Sequence, residues 1–273
     1  MHRKLREVLN KTVELFAADP RFVAGWLSGS AGGSGEDEHS DVDPIFLIRD
    51  EDFEDIDREL LSVFEAICSK IVLWWPEIRD NPLLRNYAIL VSEPELLQYD
   101  INLLRLSAFS PGWLAGVGPE QVLFDKTGVV RGALGRARAQ PYSADGLLWN
   151  VEKYWLYVYI SAKYLRRRDI FKLLFAQGVL FQTHLAILQA LHPDETWGWW
   201  PSALKRVPGE EKRMDMLLYF GATNVESIAR AVRQEMDAFA ADSRLACGNH
   251  GIPYPEELET LVRKRLASLT STD

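Results

Sequence analysis

Apolar positions recur at helical spacing from the start of the chain. Leu5, Val8, Leu9, Val13 and Phe16 fall on one face of residues 3–18, with charged side chains opposite. Asp19-Pro20 ends this helix, because proline disfavours a helical conformation in the residue before it. A short β-like run follows at 22–27, then Ser28-Gly29-Ser30-Ala31-Gly32-Gly33-Ser34-Gly35, a loop by composition. An acidic stretch leads into Asp41-Val42-Asp43-Pro44-Ile45-Phe46-Leu47-Ile48, a strand whose apolar second half is expected to be buried. Phe53, Ile56, Leu60, Leu61, Phe64 and Ile67 mark residues 50–70 as a second helix. Segments 87–91, 97–104 and 121–124 read as further strands, the last closed by a turn at Asp125-Lys126-Thr127-Gly128.

From about residue 145 the pattern changes. Helical spacing dominates 147–168, 170–191, 212–219, 225–242 and 255–269. Residues 132–144, rich in small side chains, Arg and one Pro, separate the two halves and place the boundary near 140. The expectation is two domains, 1–140 with alternating helix and strand and 141–273 all helical. No internal repeat or low-complexity tract is present.

Composition narrows the partners. The 39 acidic and 31 basic side chains leave a net charge of -8, which argues against an extended nucleic-acid surface, since phosphate binding rests on excess Lys and Arg. Cys68 and Cys247 lie in no metal-ligand pattern, and two thiols suggest a reducing compartment. Met1-His2-Arg3-Lys4 is followed by no apolar signal core, and no run of eighteen apolar residues occurs. A cytoplasmic protein without a membrane segment is expected, as monomer or homodimer.

The chemistry gathers around the first two strands. Carboxylates at positions i and i+2 of a strand project from one face, and Asp41 and Asp43 have that spacing. Carboxylate oxygens are natural ligands of Mg²⁺, which neutralises a triphosphate. The preceding run ends in Gly29-Ser30, where glycine lets backbone amides approach phosphate oxygens and serine adds a donor. Alternation in Gln98-Tyr99-Asp100-Ile101-Asn102-Leu103 puts Asp100 and Asn102 on one face. The plain alternatives are a solvated acidic turn for Asp41 and Asp43, given Glu36, Asp37 and Glu38 upstream, and an exposed strand residue or ion pair for Asp100.

A strand, Gly-Ser, ten intervening residues, Asp-X-Asp and a buried strand together resemble the signature of the DNA polymerase β-like nucleotidyltransferase superfamily. The layout that follows, with Val122-Leu123-Phe124-Asp125-Lys126-Thr127-Gly128 and then a helical half carrying Lys163-Tyr164-Leu165-Arg166-Arg167-Arg168, is similar to the lincosamide and aminoglycoside adenylyltransferases. The resemblance implies an α+β fold, a mixed-sheet catalytic domain before a helical bundle that shapes the acceptor pocket. It implies that Gly29 and Ser30 hold the triphosphate, and that Asp41 and Asp43 ligate metal. Asp100 would complete the metal site, act as general base, or both. Lys163, and after it Lys205, are the basic residues that would reach the triphosphate from the helical half; the alternative for Lys163 and its arginines is a solvated helix end.

The implied activity is transfer of a nucleoside monophosphate, AMP from ATP, to a hydroxyl of a small molecule such as a lincosamide or aminoglycoside. The rival readings are an adenylyltransferase acting on a protein or RNA, as in antitoxin-type enzymes, and an inactive nucleotide-binding module. Pro44, with no amide to donate, suggests a sheet edge or bulge after Asp43. The tryptophans at 197–200 read as core or interdomain contacts before a base-stacking platform, and His184 as a satisfied core histidine.

Overall fold

A computed structural model describes residues 1–28, 42–68, 70–78, 80–92, 95–136, 143–193 and 200–270. The chain divides into two compact units, residues 1–138 and 139–273.

The first unit is built on a six-stranded mixed sheet: β1 (Phe22–Leu27), β2 (Pro44–Ile48), β3 (Ile71–Ile78), β4 (Leu84–Ser92), β5 (Leu96–Arg105) and β6 (Val122–Asp125). Its spatial order is β3-β4-β5-β2-β1-β6. Only β2 and β5 run parallel; every other pair is antiparallel. Helices α1 (Arg3–Ala18) and α2 (Phe53–Ile67) cover one face. α1 buries Leu5, Leu9, Thr12 and Phe16, and α2 buries Phe53, Ile56, Leu60, Phe64 and Ile67, the stripes that their sequences present.

Alternation along the strands decides what each face holds. Phe22, Phe46, Ile48, Tyr99, Ile101 and Leu103 pack under the helices, with the Phe16 ring stacked on Phe22 at 4.0 Å and edge-on to Phe46 at 4.8 Å. Gly25 belongs to this face, and its missing side chain is the reason Phe46 fits: a Cβ there would lie 2.8 Å from the Phe46 ring. Arg85 and Tyr87 of β4 both bond Asp57 of α2, at 3.1 and 2.5 Å, and fix helix to sheet. The opposite face carries Trp26, Ile45, Leu47 and Leu104 beneath the irregular segment containing Phe109, Leu114 and Val130.

The second unit is helical: α3 (Ala144–Arg167), α4 (Ile170–Leu191), α5 (Trp200–Arg206), α6 (Glu210–Leu217), α7 (Val225–Asn249) and α8 (Glu256–Thr270). The three longest helices each start on a side-chain cap. Ser143 accepts from Gly146 N, Asp169 from Lys172 N, and Asn224 from Ser227 N. Arg168 takes a left-handed conformation (φ 53°) to turn α3 into α4, and pairs with Glu226 at 2.6 Å. α4 is long and apolar enough by composition to cross a membrane, but half of that stretch is buried in the unit. It also carries bonded polar groups into the core, the pattern of a core helix.

Chief among them is His184, fully buried, whose Nδ1 and Nε2 meet Tyr219 Oη at 2.9 Å and Asp242 Oδ2 at 3.0 Å. Tyr219 Oη lies 3.2 Å from Tyr154 Oη, and Lys212 donates to Asp242. Burial would raise the Asp242 carboxyl, but the bonds from His184 and Lys212 outweigh it and hold it below its ordinary range. His184 is thus the satisfied core histidine that its neighbours suggest.

Three expectations are corrected. β2 is central, not an edge, and no bulge occurs at Pro44, which is the first residue of the strand, a position at which a sheet tolerates proline. Residues 71–78, unassigned by pattern, form edge strand β3 despite Pro76, since an edge strand tolerates a missing donor. The helix expected at 50–70 begins with one 3₁₀ turn and ends at Ile67.

Glu235 generates a test. It is fully buried on α7, with Gln177 Nε2 donating to it at 3.1 Å once that amide is oriented to satisfy both groups. Burial pushes its pKa from 4.5 up to about 8. The folded chain then keeps a proton that the unfolded chain releases, so stability falls as pH rises from about 4.5 to about 8 and levels off above. Glu235→Gln is expected to remove most of that slope and raise stability at pH 8 by roughly 1–4 kcal/mol. Thermal melts from pH 5 to 9 check this; parallel curves for wild type and variant contradict it.

Candidate functional site

The register of β2 against β5 assembles the site. Ile45 pairs with Asn102 and Phe46 with Leu103, and beyond the strand end Asp100 N donates to Val42 O at 2.9 Å. The same offset sets Asp43 beside Asp100. Both side chains belong, by alternation, to the face carrying Ile45, Leu47 and Leu104, away from α1 and α2. Neighbouring strands run about 4.8 Å apart, so two carboxylates in one row can share an ion.

On the other side of Asp43, Ser28 closes β1: its N and Oγ both donate to Asp43 O, at 3.0 and 3.1 Å. The exit of β1 therefore lies beside Asp43, and Asp43 stands between that exit and Asp100. Gly29, Ser30 and Asp41 lie outside the described residues. So the sheet brings together Ser28, Asp43 and Asp100 at one end of three adjacent strands.

Exposure is graded along this face. On β5, Gln98 is exposed, Asp100 and Asn102 are half-buried, and Leu104 is buried; on β2, Asp43 is half-buried and Ile45 and Leu47 are buried. The carboxylates thus stand at the mouth of an apolar layer, half-buried, with Asp100 Oδ1 enclosed. Gln98 Nε2 donates to Asp100 Oδ2 at 2.8 Å. One row inward, Asn86 of β4 pairs with Asn102, and its Nδ2 donates to Asn102 Oδ1 at 2.8 Å. Pattern along the chain puts Asn102 on the face of Asp100, but Asn86 joins it only through the β4–β5 register, which no local signal reveals.

The donor chemistry fits a hard divalent cation such as Mg²⁺: oxygen ligands from two neighbouring strands, part-exposed, with no nitrogen or sulfur ligand between them. No set of three possible ligands occurs among the described residues, which include Asp43 and Asp100 but not Asp41. Asp125 has a different task. Its carboxylate accepts from Gly128 N at 2.9 Å and Arg131 N at 2.8 Å, and so builds the turn after β6.

Lys163 and Lys205 belong to the helical unit and are exposed, Lys163 with its ammonium 5.2 Å from the centre of the Tyr159 ring. Arg166 and Arg167 lie in the last turn of α3, where positive charge meets the carbonyl end of the helix. Trp197 and Trp199 lie outside the described residues, whereas Trp200 stacks parallel to Phe220 at 6.2 Å. A cavity of about 450 Å³ lies under α1 and the end of α2, lined by Lys4, Glu7, Lys11 and Cys68 among others. Asp43 and Asp100 do not line it, and their face of the sheet is the opposite one.

No family model matches the chain, and no curated protein matches it. Among solved structures, the chain is similar over its full length to an aminoglycoside 6-adenyltransferase from Bacillus subtilis, with 14% identity, 100% of both chains covered and a TM-score of 0.46. It is also similar to a nucleotidyltransferase-like protein from Exiguobacterium sibiricum, at 11% identity over 97% of this chain and 88% of the other, with a TM-score of 0.35. At these scores the likenesses carry nothing about function, which is read from the carboxylates themselves.

The paired carboxylates generate a binding test. Mn²⁺, a spectroscopic substitute for Mg²⁺, is expected to bind the wild-type chain, and Asp43→Asn or Asp100→Asn to weaken it by about ten-fold or more. Electron paramagnetic resonance titration of free Mn²⁺ reads this directly. Unchanged affinity in both variants would place any ion elsewhere.

Proposed function

We propose that this chain is a metal-dependent nucleotidyltransferase that moves AMP from ATP to a hydroxyl group of a small molecule. The observation that carries the reading is the register of β2 and β5, which sets Asp43 and Asp100 in one row on the sheet face opposite α1 and α2.

Each residue type has a task in that reaction. Asp41, Asp43 and Asp100 hold Mg²⁺, which when bound neutralises triphosphate charge and steadies the departing pyrophosphate. Gly29 and Ser30, following directly on Ser28 at the exit of β1, offer backbone amides and a hydroxyl to the phosphates. Asp100 accepts the proton of the acceptor hydroxyl as its oxygen bonds to the α-phosphorus; the bond from that phosphorus to the bridging oxygen breaks, and pyrophosphate leaves. The acceptor implied by the sequence resemblance is an aminoglycoside or lincosamide, and the acidic net charge of -8 suits a cationic small molecule better than a nucleic acid.

The test is pyrophosphate release with Mg²⁺, each of the four nucleoside triphosphates, and a panel of aminoglycosides and lincosamides. Release is expected with ATP and at least one acceptor, with loss on chelation. Asp100→Asn should lower turnover about 10²- to 10⁴-fold, the range for removing a general base. Full turnover by Asp43→Ala would overturn the mechanism.

A further inference from the structure

The row of side chains directly inward of Asp43 and Asp100 carries two amides, where the row beneath it is apolar. It runs Trp26, Ile45, Asn102, Asn86 across β1, β2, β5 and β4. The next row inward, Ala24, Leu47, Leu104 and Leu84, contains no polar side chain. Asn86 is 9% exposed, and its Oδ1 is enclosed without a hydrogen-bond partner among the described residues. An enclosed, unmet acceptor costs free energy that an apolar side chain packed on Leu84 and Leu104 would not. What Asn86 does achieve is its one bond, Nδ2 to Asn102 Oδ1 at 2.8 Å.

That bond fixes an orientation. With its oxygen engaged by Asn86, the half-buried Asn102 has its Nδ2 at the other end of the amide, two residues along the same strand face from Asp100. Two N–H donors are thereby presented beside the carboxylate. The strand order decides which substrate they serve. The exit of β1, leading to Gly29 and Ser30, lies on one side of Asp43, and the two asparagines lie on the other, over β5 and β4. Phosphates held at the β1 exit leave the β5–β4 side to the acceptor.

We propose that Asn102 binds an oxygen of the acceptor molecule next to the attacking hydroxyl, and that Asn86 is the positioning residue that aims its amide. This rests on the nucleotidyl-transfer reading and adds the side from which the acceptor enters, together with a requirement for a second oxygen near the reacting one. An acceptor with neighbouring oxygens, a polyol or glycoside, meets both Asp100 and Asn102; a lone alcohol meets only Asp100.

The test uses Asn102→Ala and Asn86→Val in the full chain, with kanamycin, streptomycin and lincomycin as acceptors and α,β-methylene-ATP with Mg²⁺ as the nucleotide probe. Both variants should raise the acceptor KM by about ten-fold, equivalent to about 1.4 kcal/mol, while binding the nucleotide probe as wild type does. Asn86→Val removes the unmet acceptor, so its melting temperature should equal or exceed that of wild type even as acceptor KM rises. A purely structural role predicts the reverse, lower stability with KM unchanged. Equal acceptor KM in wild type and both variants overturns this proposal and leaves nucleotidyl transfer standing. If wild type neither binds the nucleotide probe nor transfers to any of the three acceptors, the underlying reading falls and this one with it.

Discussion

The parallel pairing of β2 with β5 is the constraint on which the candidate site depends. A single hydrogen bond beyond the strand end, Asp100 N to Val42 O, continues the ladder and puts two acidic residues, 57 positions apart in the chain, side by side. Side chains alternate with period two, so a slip of one residue would turn Asp100 into the helix-covered core and bring Tyr99 or Ile101 out in its place. The register is held because both faces of the sheet are occupied. Phe46, Ile101 and Leu103 are committed to the layer under α1 and α2, and Ile45, Leu47 and Leu104 to the other. Burying an isolated carboxylate in either layer would be far costlier than leaving it at the mouth, where both acids stand.

The same economy of polar groups separates structural from functional residues elsewhere. In the helical unit, His184, Tyr219, Tyr154 and Asp242 form a closed chain in which each group finds a partner inside the core. Such a network fixes helix packing and asks nothing of a ligand. On the sheet, by contrast, Asn86 is held by one bond with its other end unmet, directly inward of the acids. Buried polarity alone does not mark a site. Incomplete satisfaction beside chemistry does.

Much of this was legible along the chain. The stripes of α1 and α2, the 22–27 strand and the extent of 170–191 follow from apolar spacing, and the acids at 41, 43 and 100 stand out against apolar strands. Other features were hidden because they depend on pairing over long separations. Asn86 looks like an ordinary polar residue before Tyr87 until the β4–β5 register sets it opposite Asn102. β3 was missed because Pro76 and an unbroken apolar run, Ile71 to Trp75, match neither alternation nor helical spacing. Pro44 misled for a related reason: proline signals an edge or bulge in the middle of a strand, and here it is the first residue of a central one. The short α5 follows a tryptophan-rich stretch with no helical period to announce it.

The most direct measurement is anomalous X-ray diffraction from crystals grown with Mn²⁺ and α,β-methylene-ATP. The account predicts a manganese peak about 2.1 Å from carboxylate oxygens of both Asp43 and Asp100, with the triphosphate extending toward the exit of β1. Nucleotide and metal bound elsewhere, or a peak that touches neither acid, would contradict it.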